Sequence, residues 1–147
     1  MLPIYKKKKS TSTKKKPNLI TKLDKVFSQY IRLRDTMPNG YCKCISCGKI
    51  KSFSDIDAGH YFSRTHMGTR FDEDNVNGEC TYCNRFYSSH LVGYQENLIR
   101  KIGIGRYDRL KLLASTPKHW CDFELEEMIK HYKEEVKRLS AIKGIKV

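Results

Sequence analysis

The sequence predicts a small α+β domain, with helices on either side of a central segment stapled by zinc. Three observations carry this. Four cysteines stand as two Cys-x-x-Cys pairs, Cys44/Cys47 and Cys80/Cys83, the spacing with which two thiolates grip one tetrahedral zinc. Apolar residues recur at three and four on both flanks. The chain has 147 residues, enough for one modest core that a metal staple would reinforce. No run approaches the roughly 18 apolar residues of a membrane span. With no secretory pattern after the basic start, a reducing cytoplasm and metal thiolates are expected rather than disulfides.

The elements follow in order. Residues 1–17 hold Lys6, Lys7, Lys8, Lys9, Lys14, Lys15 and Lys16 around a Ser/Thr run and are expected to form a disordered basic arm. A single domain is expected over 18–140, with its core at about 41–102, and 141–147 as a basic tail. From Asn18 a helix is predicted through Leu19, Leu23, Val26, Phe27, Tyr30 and Ile31, ending before Pro38-Asn39-Gly40. Two short strands should surround the first cysteine pair, and Ile56 to Phe62 reads as a strand. Residues 63–74 read as a loop. A helix is expected from Asn84 through about Ile102, stopped by Gly103 and Gly105. A short helix is expected at Tyr107 to Leu113, and a turn at Thr116-Pro117. The last helix carries Leu125, Met128, Ile129, Tyr132, Val136 and Leu139 on one stripe. Cys121 reads as a small core residue.

The net charge is +13, and it is unevenly spread. Residues 1–35 hold nine Lys and two Arg against two Asp, residues 36–100 seven basic against seven acidic, and residues 101–147 eleven against seven. A neutral centre between basic flanks suits a polyanion gripped at the ends and processed in the middle. A zinc shared by the two cysteine pairs would hold His60, Asn75 and Asn84 in one small space. Hydrolysis of a phosphodiester needs an activated water, charge neutralisation and a stabilised leaving oxygen. A histidine near neutral pKa serves the first, and a hard divalent cation on carboxylate or carboxamide oxygens serves the others.

His60 ending a strand, Asn75 in Asp74-Asn75-Val76 and Asn84 in Cys83-Asn84-Arg85 resemble the His-Asn-Asn form of the HNH, or ββα-metal, nucleases. More narrowly, the run from Asp57 to Arg64, Arg70-Phe71-Asp72, Asn75, Cys80, Cys83 to Phe86, Leu91-Val92 and Tyr94 looks like the NinG family, also called Rap. The likeness covers about residues 17–139. It implies an HNH-like core and a structure-specific endonuclease acting on branched recombination intermediates of phage DNA in the bacterial host's cytoplasm. His60 would then be the general base, Asn75 would orient the His60 loop, and Asn84 would be a ligand of a catalytic Mg²⁺ or Mn²⁺. Many HNH proteins carry an aspartate directly before the histidine, and here Gly59 stands there. Asp57 would replace it only if a bulge turned it toward His60; His90 and Asp72 are the other candidate ligands, and His66 and His90 the alternative bases. Arg64, Arg70 and Arg85 flank the site as phosphate clamps or, equally, as loop ion pairs.

The competing class is a noncatalytic zinc-finger protein that binds nucleic acid through charge. It needs the cysteines and the lysines, but not the His60, Asn75, Asn84 spacing. Cutting both strands of a junction makes a homodimer attractive, and phage recombination proteins are the expected protein partners.

Overall fold

The computed structural model describes residues 18–147; the lysine arm, with Lys6 to Lys9 and Lys14 to Lys16, lies outside the described residues. The first helix, α1 (Leu19–Asp35), starts where Asn18 Oδ1 accepts the Thr21 amide at 2.8 Å, a side-chain cap on an otherwise orphan donor. Its buried stripe of Leu23, Val26, Phe27, Tyr30 and Ile31 packs on the last helix, α5 (Asp122–Lys143), through Leu125, Ile129, Tyr132 and Val136. Phe27 meets Tyr132 edge-on at 4.9 Å between ring centroids. Ala58, Phe71 and Val76 of the central segment complete this core.

The central segment holds two antiparallel two-stranded ladders. In the first, β1 (Tyr41–Lys43) pairs with β2 (Ile50–Ser52) across the first cysteine pair. In the second, β3 (Ile56–His60) pairs with β4 (Val76–Cys80) in five consecutive pairs from Ile56↔Cys80 to His60↔Val76. Successive side chains alternate between faces. Ala58 and Val76 face the α1 core. Asp57, Gly59, Asn77 and Glu79 share the other face, against which the next helices lie.

Those helices differ from the expectation at three points. The stretch from Asn84 is two helices, α2 (Thr81–Arg85) and α3 (His90–Ile102). The amides of Phe86 and Tyr87 both turn back to the Tyr82 carbonyl, which closes α2 after little more than a turn. Asn84 therefore lies within a helix that begins beside Cys80, rather than at a helix start. Gly103, at φ +83°, ends α3, but Gly105 lies inside α4 (Ile104–Ser115), which is longer than predicted. Thr116-Pro117 starts no helix; α5 begins at Asp122, where the Cys121 amide donates to Glu124 Oε2 at 3.0 Å in a capping box. Cys121 is exposed and is a cap, not a core residue.

Of residues 141–147, expected as a basic tail, 141–143 continue the last helix. Helix α5 runs to Lys143, whose ammonium donates to the carbonyls of Leu33, Arg34 and Thr36 at 2.6, 3.1 and 2.6 Å. It caps the C-terminal end of α1, where carbonyls lack helical partners and the dipole is negative. Among the described residues no helix is long and apolar enough to cross a membrane.

Candidate metal centre and candidate active site

The four predicted thiols converge. The sulfurs of Cys44, Cys47, Cys80 and Cys83 all lie within 4.8 Å of one another, and Cys47 Sγ is 3.9 Å from Cys80 Sγ. A tetrahedral zinc with bonds of about 2.3 Å needs sulfurs about 3.8 Å apart, so the donor set fits zinc. The amides of Cys47 and Cys80 donate to Cys44 Sγ at 3.5 and 3.2 Å, as a metal-bound thiolate favours. Gly48 permits the knuckle turn: its φ is +73°, and its amide bonds the Cys44 carbonyl at 2.9 Å. Without a cation, burial pushes the Cys44 and Cys83 thiols up; a zinc reverses this by holding them as thiolates. Cys42 stays outside the group, buried against Gly78, with burial and the nearby Asp35 raising its thiol to about 11.

The staple joins the knuckle to the end of β4 and the start of α2, which fixes the β3–β4 hairpin beside it. His60 closes β3. Its Nε2 sits 2.9 Å from the Arg70 carbonyl, which accepts only, so Nε2 carries the proton and Nδ1 keeps a lone pair. Burial lowers the His60 pKa below the ordinary imidazole value, and the Arg70 carbonyl offsets this in part.

Asn75 is fully buried. Its Oδ1 accepts the Phe62 amide at 2.8 Å, and its Nδ2 donates to the carbonyls of Phe62 and Thr69 at 3.0 Å each. The side chain thus ties both ends of the connection that contains Arg70 and holds its carbonyl against His60. The Tyr94 hydroxyl bonds the Gly59 carbonyl at 2.6 Å and receives a bond from Asn77 at 3.2 Å, locking α3 to the same hairpin.

The other predicted residues lie elsewhere. The β3 ladder is regular, with no bulge, so Asp57 stays on the face opposite His60. Its carboxylate receives both Arg85 nitrogens at 2.9 Å and Asn84 Nδ2 at 3.0 Å. Asp57 is therefore taken up by Arg85 and Asn84 rather than open to a cation. No hydrogen bond joins His60 to Asn84 among the described residues. Arg70 is also engaged, donating from Nε to Asp24 at 3.0 Å, so it is an ion-pair partner and not an open clamp. Asp72 pairs with Arg109 at 3.0 Å, which removes it from the metal candidates. Arg64 is exposed and has no ion pair among the described residues. His66 lies in the loop with Nδ1 3.1 Å from the Ala114 carbonyl.

Two features escaped the sequence reading. Glu79 is fully buried on β4, with its carboxylate on His90 Nδ1 at 2.7 Å. Phe86, Tyr82 and Tyr87 are exposed beside the zinc knuckle, with the two tyrosine rings stacked at 6.2 Å. The two tyrosines line a recess of about 360 Å³ together with Lys49 and Lys51. The only signal for the aromatic patch was the run of aromatics after Cys80, which also suits a core helix.

Comparison with known proteins gives the chain a family. Residues 4–141 match the family described as Bacteriophage Lambda NinG protein. The chain is 34% identical over 125 residues to Protein ninG of Salmonella phage P22, covering 82% of this chain and 57% of that protein. It is 33% identical to Protein ninG of Escherichia phage lambda, over 82% of this chain and 56% of that one. The chain thus spans little more than half the length of these curated relatives. No solved structure matches.

Proposed function

The chain belongs to the NinG family of bacteriophage proteins, and from that footing we propose that it is a divalent-metal-dependent endonuclease of branched DNA, built on an HNH-like hairpin that a structural zinc holds in place. The observation that carries this reading is His60. A neutral imidazole at the end of a zinc-anchored hairpin, with Nε2–H committed to a carbonyl, leaves Nδ1 able to take a proton from water. An ordinary structural histidine needs no buried asparagine clamping its partner loop with three hydrogen bonds.

The chemistry divides between residues. His60 Nδ1 removes the proton as water attacks phosphorus. The Arg70 carbonyl stabilises the imidazolium that results, because it accepts from Nε2–H. A bound divalent cation would supply charge neutralisation at the phosphate and the leaving oxygen. Asn84 Oδ1 would be an oxygen donor for it, its Nδ2 being held by Asp57. Net charge of +13 and the exposed Tyr82 and Tyr87 beside Lys49 and Lys51 support a nucleic-acid substrate, since aromatic faces stack on base faces exposed at a branch point or in single strands. The place of action is the host cytoplasm, alongside phage recombination proteins, and a dimer would cut both strands of a junction.

The test is single-turnover cleavage of a four-way junction and of linear duplex, with and without Mg²⁺, by wild type and His60→Ala at equal bound fraction. Metal-dependent cutting of the junction is expected, and loss of the base should slow it by about 10²-fold or more. The lowered His60 pKa means that log rate should rise with pH and level off below the ordinary imidazole value of about 6.5. Binding without cutting under any divalent cation would leave the noncatalytic zinc-finger reading in its place. Equal rates for the variant would remove His60 as base.

A further inference from the structure

On the helix-facing side of the β3–β4 hairpin, one buried group lacks an explanation. Glu79 is 0% exposed, and its Oε1 has no hydrogen-bond partner. Its other oxygen takes the Ser46 hydroxyl and His90 Nδ1. No lysine or arginine pairs with it among the described residues. Directly across the ladder stands Asp57, a second carboxylate on the same face. Like charges at that position repel; Arg85 relieves Asp57, but only His90 answers Glu79. A buried carboxylate with one oxygen unpaired is costly unless a cation occupies the gap.

Gly59 shows that the space is reserved. A Cβ there would lie 2.8 Å from Glu79 Cβ and 3.1 Å from its carboxyl carbon. Any side chain at 59 would evict the Glu79 carboxylate, so the missing side chain at 59 and the buried one at 79 are one arrangement. The Glu79 carboxylate thus occupies the ground that a residue-59 side chain would take, next in sequence to His60. Glu79 shares the hairpin face of Asp57, opposite His60, but unlike Asp57 it has no arginine partner among the described residues.

We propose that Glu79 and His90 hold a divalent cation on the helix-facing side of the β3–β4 hairpin, at the carboxylate that fills the notch left by Gly59. His90 Nδ1 and the Glu79 oxygen are 2.7 Å apart, near the roughly 3 Å edge between neighbouring donors of an octahedral cation with bonds of about 2.1 Å. On binding, Nδ1 gives up its proton to solvent and offers its lone pair, Oε1 gains the partner it lacks, and the Ser46 hydroxyl remains as an oxygen beside the cation. A mixed carboxylate and imidazole set suits Mn²⁺ or a similar first-row ion, whereas the four thiolates select zinc. The role of this cation in phosphodiester cleavage rests on the nuclease reading; its binding does not.

The experiment is a Mn²⁺ titration of zinc-loaded full-length protein, with free Mn²⁺ followed by electron paramagnetic resonance. Zinc content and circular dichroism report folding. One saturable Mn²⁺ per chain is expected. Glu79→Gln and His90→Gln should each weaken it by at least about tenfold, while His119→Gln, at an exposed position remote in sequence, should not. His90 lies at the edge of the site, so its variant decides the matter if Glu79→Gln fails to fold. Absence of saturable binding in wild type, or unchanged affinity in folded His90→Gln, would overturn the proposal. Mn²⁺ lost in both variants, with no cleavage by wild type, would keep the site and sink the nuclease reading. Cleavage by wild type with no Mn²⁺ site at Glu79 and His90 would do the reverse.

Discussion

Replacing Asn75 with alanine should destabilise the protein by about 3 kcal/mol. The side chain makes three buried hydrogen bonds at 2.8 to 3.0 Å, each contributing about 1 kcal/mol net. The Thr69 carbonyl keeps a partner in the Asp72 amide at 3.1 Å. The Phe62 amide and carbonyl have none to fall back on, so the loss should not fall below that of three average bonds. Against a total stability of about 5 to 15 kcal/mol for a domain, this is a large fraction. Asn75→Asp should be at least as damaging, because it replaces two donors with lone pairs facing two carbonyls. The assay is urea unfolding of zinc-loaded protein, read where the slope m is unchanged, together with hydrogen exchange at the Phe62 amide. A loss below about 1 kcal/mol, with that amide still protected, would refute the view that Asn75 clamps the loop holding Arg70 against His60.

Three further outcomes are expected. Zinc should be present at one ion per chain, and a chelator should lower the melting temperature, since the bound metal contributes to folding; Cys44→Ser should share that loss, while Cys121→Ser should leave stability unchanged or slightly raised, because serine is the better helix cap. If the chain cuts DNA as proposed, deleting residues 1–16 should weaken DNA binding and flatten its dependence on salt while leaving cleavage at saturating protein intact, because those lysines would act by counterion release; an unchanged salt slope would remove them from DNA binding. Burial alone would raise the Asp35 carboxyl, but Arg34, Lys101 and the Gly78 amide outweigh it and hold it below the usual range. The unfolded chain then binds the extra proton first, so the stabilisation is full above about pH 4 and is lost as pH falls through the folded value; Asp35→Asn should flatten the acid limb of a stability–pH curve.

What the sequence determined by itself was local or periodic. The Asn18 cap and the apolar stripe of α1 are written in consecutive residues, as are the knuckle at Cys44 to Gly48, the last helix and the four thiols, because caps, helical spacing and zinc geometry act over a few bonds. The ends of α2 were not legible, since the aromatic run after Cys83 suits a helix interior as well as a turn; the acidic first turn of α5 at Asp122 was legible, but its cap was not, because a cysteine is an unusual one. The tertiary structure alone decided which face of β3 each side chain takes. Alternation along an unbulged ladder sets Asp57 apart from His60, and only pairing with β4 brings Glu79 into the space beside Gly59. It also decided that Arg70 and Arg85 are bound to Asp24 and Asp57, and that Lys143 caps a helix more than a hundred residues earlier in the chain. Such contacts depend on where distant segments meet, and no spacing along the chain encodes that.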